Sequence, residues 1–247
     1  MYLNDQLGDC TCAAVGHLIQ GWTQYAAGAA FSVADSDVLG LYENAAGYNP
    51  NDPSTDRGAY IQDILGFWRK NGVAGHQITA YASVKVSNMT LIKQAVDLFG
   101  AVDIGFNFPA SAMTQFEQGK PWDVVKGSRL EGGHCVTVVG YKANGNLVCI
   151  TWGAVQEMTP AFWRAYVDEA WVIISPDWIE ANGTSPLGID LYSLGAAFAA
   201  LTGEPNPIPQ PAPQPTPVPV PTPAPAVDPD VLAAYKSLDA YMKRNAA

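Results

Sequence analysis

Between Gly132 and Gly153 the chain reads Gly-Gly-His-Cys-Val-Thr-Val-Val-Gly-Tyr, a short polar turn over residues 142–145, then Asn-Leu-Val-Cys-Ile-Thr-Trp-Gly. Two apolar runs around a turn that carries Asn-Gly predict a β-hairpin. His134 stands at the mouth of its first strand, behind two glycines that let backbone or a ligand come close. A histidine so placed can exchange a proton with a group across a cleft. The best partner lies far away in the sequence, at Cys10.

Hydrophobic residues make up 48% of the 247, enough to build a packed core, and no apolar run is long enough to span a membrane. A formal charge of -10 argues against a nucleic-acid partner, because phosphate contacts need Lys and Arg, and equally against an anionic membrane surface. The four cysteines are Cys10, Cys12, Cys135 and Cys149. The first two are too close in sequence for an easy disulfide. A tight hairpin turn places Cys135 opposite Trp152, away from Cys149. Four free thiols and a reducing compartment are expected. Polar residues begin by Asn4, so no signal peptide is expected.

A helix is predicted over residues 10–27, with Asp9 as its cap, apolar on most sides and therefore central. Further helices fit residues 37–46, 59–70 and 90–99. The third has Tyr60, Ile64, Phe67 and Trp68 as its stripe, and Ser87 or Asn88 opens the fourth. Strands fit residues 77–86, 102–108 and 170–174. Residues 109–129 read as mostly loop, with a helical turn near 113–117. Thr159-Pro160 opens a short helix over 161–166. The domain is expected to end near Thr202, giving ranges of 1–202, a linker at 203–229 and a tail at 230–247.

From Pro205 to Pro225 every second residue is proline. This reads as a polyproline-II spacer of roughly 65 Å at about 3.1 Å per residue. Strict alternation leaves no two of these prolines three apart, so the PxxP core read by SH3-type domains is missing. Beyond it, Asp228-Pro229-Asp230 opens a helix whose stripe is Val231, Tyr235, Leu238 and Met242. So short a helix is marginal alone and is expected to dock on its own domain, a second copy or a partner.

A cysteine at a helix N-terminus has its thiolate favoured by the dipole and by free N–H groups. An imidazole can shuttle its protons, and a polar side chain just upstream can join the backbone in holding an oxyanion. Cys10, His134, and Asn4 or Gln6 supply these parts. His17 reads as a core histidine and His76 as exposed. Cys10-Thr-Cys12 has no second pair to complete a zinc site, the carboxylates over residues 52–57 lack EF-hand spacing, and no cofactor is expected. Trp152, Trp163, Trp171 and Trp178 read as core packing around the hairpin.

Asn-Asp-Gln-Leu-Gly-Asp-Cys-Thr-Cys-Ala-Ala, residues 4–14, resembles the nucleophile region of papain-like cysteine peptidases, where a Gln precedes the nucleophile by six positions. The histidine strand and Thr-Trp-Gly resemble their counterparts there, and the order of elements over roughly residues 1–175 is similar. Asp9-Cys10 with Ala13-Ala14 is also similar to the bacteriocin-processing peptidases. The whole chain resembles uncharacterised bacterial and phage proteins; with no signal peptide and no membrane span expected, the expected setting is cytoplasmic or virion-associated.

The resemblance implies an α+β papain-like fold, with a central helix and helical subdomain on a mostly antiparallel sheet. It implies a thiol hydrolase in which Cys10 attacks, His134 is base then acid, and Asn4 with the Cys10 N–H holds the oxyanion. The six-residue spacing leaves a second pairing open, Cys12 with Gln6; Cys10 is preferred because it lies in the helix's first turn. Only nine residues precede Cys10 in this sequence, so no inhibitory propeptide is expected. In these families an Asn or Asp orients the histidine. Counting from His134 puts Ile150 there, which cannot accept a hydrogen bond, and alternation is taken to turn Thr151 to the other face. The alternative is therefore an inactive structural or binding protein, such as a component of a phage particle or surface assembly, docking through residues 230–247.

Overall fold

The computed structural model describes residues 1–211; the rest of the proline tract and the expected terminal helix lie outside the described residues. The hairpin is its centre. Strands β3 (Leu130–Tyr141) and β4 (Leu147–Thr151) pair antiparallel, with Thr137 opposite Ile150 and Val138 opposite Cys149. A bulge then shifts the register by one before the turn. The turn closes through Lys142 N–H to the Asn146 carbonyl at 2.8 Å, with Gly145 in the left-handed region at φ 92.

Four more strands complete one sheet: β1 (Ala80–Ser83), β2 (Val102–Pro109), β5 (Ala154–Met158) and β6 (Val167–Ile174). Their order is β1-β6-β2-β3-β4-β5, and all five pairings are antiparallel. β5 is missing from the sequence reading. It is an edge strand with Val155 exposed and only Gln156 and Met158 turned inward, too short an alternation to stand out.

Helix α1 (Cys10–Ala27) covers the predicted span and packs on β3, burying ten residues from Thr11 to Trp22. Asp9 occupies the N-cap position, yet its side chain makes no cap bond, contrary to the expectation. α2 (Asp35–Ala46) and α3 (Ile61–Asn71) pack beside it. α2 opens with the Asp37 carboxylate accepting the Ala34 N–H at 3.1 Å. The buried stripe of α3 is Ile61, Ile64, Leu65 and Trp68; Tyr60 precedes the helix and is 77% exposed, which corrects its assignment to the stripe. α4 (Met89–Phe99) is capped by Asn88, which accepts from Leu91 N–H. α6 (Pro160–Tyr166) is capped by Thr159.

Two helices depart from the sequence reading. α5 (Ala110–Glu117) occupies part of the expected loop, held where Trp122 donates from Nε1 to the Ala112 carbonyl at 2.9 Å. α7 (Leu191–Thr202), capped by Asp190, follows the last strand and sets Phe198 edge-on to Phe99 at 6.4 Å. Gly195 in its middle admits the Asn206 side chain, which a Cβ would strike. All four cysteines are unpaired, as expected. Among the described residues, no helix is long and apolar enough to cross a membrane.

Trp68 is fully buried, stacks on Trp22 at 6.0 Å and donates to the His76 carbonyl at 3.0 Å. Trp68→Ala is expected to lower unfolding stability by about 3–5 kcal/mol. A urea titration read by circular dichroism checks this.

Candidate active site

The segment before α1 is tied down at several points. Tyr2 is buried, with its ring lying where a Cβ on Gly16 would be and 5.0 Å from the His17 ring. Asp56 Oδ1 accepts from Gly8 N–H at 3.0 Å and from the Tyr42 hydroxyl at 2.7 Å, and that hydroxyl in turn accepts from Gly58 N–H. One carboxylate thus joins the lead segment, α2 and the loop before α3. These contacts join residues far apart in sequence, and no local pattern announced them.

Cys10 opens α1, half-buried on the wall of a cleft of about 1000 Å³. Cys12 is fully buried in the core. Asn4 lines the cleft, whereas Gln6 is exposed outside it. The Asn4 amide nitrogen donates to Asp9 Oδ1 at 3.0 Å and to the Leu7 carbonyl at 3.3 Å, so both of its hydrogens are engaged. The Asp9 carboxyl is fully buried and its Oδ2 has no partner. Burial pushes its pKa up to about 7 against the opposing Asn4 bond.

Across the cleft stands His134, only 9% exposed. Its Nε2 lies 2.9 Å from Thr151 Oγ1. Trp152 stacks on the ring at 4.7 Å and 17°, and Phe106 and Phe108 meet it edge-on at 5.6 and 5.5 Å. Trp152 is therefore part of the site rather than general core packing. It holds a positive φ of 45, an uncommon conformation for so large a side chain, with the Phe116 and Trp122 rings packed against it.

The Thr151 contact corrects the expectation for this strand. Residues directly opposite in an antiparallel pair share a face. With Thr137 opposite Ile150, Val136 falls opposite Thr151, and Val136 shares the face of His134. Ile150 is the residue on the other face. The register that keeps Cys135 from Cys149 already implies this, so Thr151 was within reach of the sequence.

Burial pushes the Cys10 thiol up to about 11, while the Cys135 and Thr11 amides favour its thiolate. Burial draws the His134 imidazole down to about 4. Both shifts favour the neutral forms, a thiol and an uncharged imidazole. Nδ1 has no hydrogen-bond partner among the described residues, and it is the bare nitrogen in the tautomer whose Nε2–H donates to Thr151.

The other histidines lie elsewhere. His17 is buried beside Tyr2, with burial lowering its pKa to about 4. His76 pairs with Asp177 at 2.7 Å and is only 16% exposed at its side chain, so it is not the free surface histidine expected. Among the described residues, no group of three or more His, Cys, Asp or Glu side chains is arranged to hold a metal ion.

No protein-family model matches the sequence, and no curated protein matches it. Solved structures do match. Xylellain, a cysteine protease from Xylella fastidiosa, is similar at a TM-score of 0.54 and 19% identity over 68% of this chain and 80% of its own. The bromelain protease from Ananas comosus, solved in complex with the E64 inhibitor, is similar at 0.50 and 16% identity, covering 69% of this chain and 90% of its own.

Proposed function

We propose that this chain, whose fold is papain-like, is a cysteine peptidase or related thiol hydrolase with Cys10 as nucleophile and His134 as its base. The observation that carries this reading is the shared cleft. Cys10 in the first turn of α1 and His134, with Nε2 engaged, face one cavity, while Cys12 is in the core and Gln6 outside it.

Sγ of Cys10 attacks a carbonyl carbon as its proton passes to His134 Nδ1. The backbone N–H of Cys10 and the Asn4 amide hold the oxyanion. The amide must first turn one N–H from its present acceptors, and the longer bond, to Leu7, is the one to yield. Collapse expels the leaving group with the proton from His134. Water, deprotonated by the same imidazole, then hydrolyses the thioester. Because the resting pair is neutral, proton transfer accompanies attack instead of preceding it.

The test uses E64, the compound held by bromelain. Under reducing conditions it should add covalently to Cys10 and to no other cysteine, as mapped by peptide mass spectrometry. Labelling of Cys12, or none at all, would refute the assignment.

The pH profile carries its own prediction. A base with its pKa lowered to about 4 is unprotonated, and so competent, above that value. The labelling rate should therefore hold steady from pH 7 to 5 and fall only as pH drops through about 4. A fall centred near 6.5, the ordinary imidazole value, that persists in Asp9→Asn would show an unperturbed histidine, since Asp9 is itself pushed up to about 7.

The neutral resting pair also favours a second reading, a papain-fold binding protein without turnover. It would use the cleft, or the segment after residue 202, to dock on a partner. Absence of labelling at Cys10 together with a change of assembly on deleting residues 203–247, read by light scattering, would select it.

A further inference from the structure

The cleft has two chemically different sides, because strand alternation sorts its sheet residues. Phe106 and Phe108 share the face of His134. Gly105 and Asn107 share the other face with Cys135 and Gly133 on β3 and with Glu169 opposite Gly105 on β6. One side is thus aromatic. The other has a glycine floor: a Cβ on Gly133 would meet nothing within 4 Å, leaving room for a substrate side chain. A Cβ on Gly105 would come within 2.5 Å of Glu169 Oε1, so only glycine lets that carboxylate lie across β2.

Four carboxylates line the cleft, and their partners separate them. Asp56 is the clamp on Gly8 and Tyr42. Glu131 is paired with Arg129 at 2.8 Å. Asp168 and Glu169 have no cationic partner among the described residues. Each is held by a neutral donor instead, Asp168 by the Asn107 amide at 3.1 Å and Glu169 by the Trp171 indole at 2.7 Å. The cleft's basic side chain, Arg57, donates from Nε to the Ser54 carbonyl and pairs with neither. Independently, Thr11 lines the same cleft, is 4% exposed, and has its hydroxyl oxygen without a partner. A buried hydroxyl left unpaired is unfavourable until a ligand supplies a donor or acceptor.

We infer that the Asp168–Glu169 side of the cleft receives a basic side chain, a lysine or arginine of a peptide bound across Cys10. This rests on the hydrolase reading for its peptide, though the charge selectivity stands without turnover. Asp168 and Glu169 act as specificity residues: an ammonium or guanidinium would bring the counter-charge they lack, and the glycine floor leaves its stem space.

The experiment separates the two claims. Cys12, Cys135 and Cys149 are buried, so small thiosulfonate reagents report on Cys10. The thiolate displaces sulfinate and forms a mixed disulfide. Rates are measured for the cationic aminoethyl and anionic sulfonatoethyl methanethiosulfonates, each normalised to 2-mercaptoethanol, with modification mapped to Cys10. The cation should be favoured about tenfold or more. That ratio should collapse toward one in Glu169→Gln with Asp168→Asn, which keep the acceptors for Trp171 and Asn107. Matching circular dichroism and thermal unfolding of the two proteins show that the fold is intact, and the neutral methyl reagent gives each protein its own reference rate. A normalised ratio near one in the native protein, or one unchanged in the variant, overturns the inference. Peptides with Lys or Arg, Leu, or Glu beside the cleaved bond form the second arm, where the basic ones should be preferred and the variant should lose that preference. Cleavage indifferent to charge overturns the inference alone. If no peptide is cleaved, the hydrolase reading falls, and the reagent ratio decides the charge selectivity.

Discussion

Cys10→Ala is expected to abolish covalent labelling by E64, and His134→Ala to slow it by about 100- to 10,000-fold. The first follows from burial: with Cys10 gone, Cys12, Cys135 and Cys149 remain as fully or nearly fully buried thiols that a substrate-sized reagent cannot reach. The second is the usual range for removing a positioned base. It depends on the thiol not being a free thiolate beforehand. Burial has pushed Cys10 up to about 11, so at pH 7 attack needs a proton acceptor at hand. Both variants should keep native circular dichroism. Labelling of Cys10→Ala at the native rate would move the nucleophile elsewhere. Equal rates with and without His134 would reduce Cys10 to an ordinary half-buried cysteine.

Thr151→Val should lower the labelling rate by about 10- to 100-fold with little change in the fold. Thr151 is 3% exposed, and its hydroxyl is the one hydrogen-bond partner of His134 among the described residues. Valine keeps the shape and leaves Nε2 buried without a partner. Leaving such a group unsatisfied costs about 1–3 kcal/mol, and 1.4 kcal/mol is a factor of ten in rate. The loss is chemical as well as energetic. With Nε2–H donating to Thr151, Nδ1 is bare and can accept the thiol proton; without that acceptor the tautomer is free to change. A hydroxyl both donates and accepts, as an Asn amide can, so it fixes the tautomer less firmly than an acceptor-only Asp carboxylate would. The rate measurement, paired with thermal unfolding, separates this effect from instability; a variant that labels at the native rate would show that Trp152 and the two phenylalanines alone hold the ring.

The parts of the fold visible in the sequence are those with local signals. α1, the hairpin and the caps at Asn88 and Thr159 follow from residues within a few positions of one another. The strand expected over residues 102–108 is β2. β5 and α7 were not visible, since an edge strand with one exposed face and an alanine-rich helix around Gly195 have weak periodicity and are specified by what they pack on. At the candidate site, Cys10 and His134 stand where the helix start and the strand mouth put them, and Asn4, unlike Gln6, lines their cleft. Thr151 lies on the face of His134 because the hairpin register sets it opposite Val136, whereas alternation counted from Ile150 alone turns it away. The Asp56 clamp, the aromatic cage around His134 and the glycine floor beneath Glu169 join segments distant in sequence, and only the folded chain brings them together.

The most direct measurement is intact-protein mass spectrometry during reaction with activated esters of short basic peptides, under reducing conditions at pH 6. The account predicts an acyl adduct on Cys10 that forms within the assay, is lost to water with release of the free acid, and recurs over many turnovers. An adduct on any other residue, one on Cys10 that never hydrolyses, or no adduct at all would contradict it.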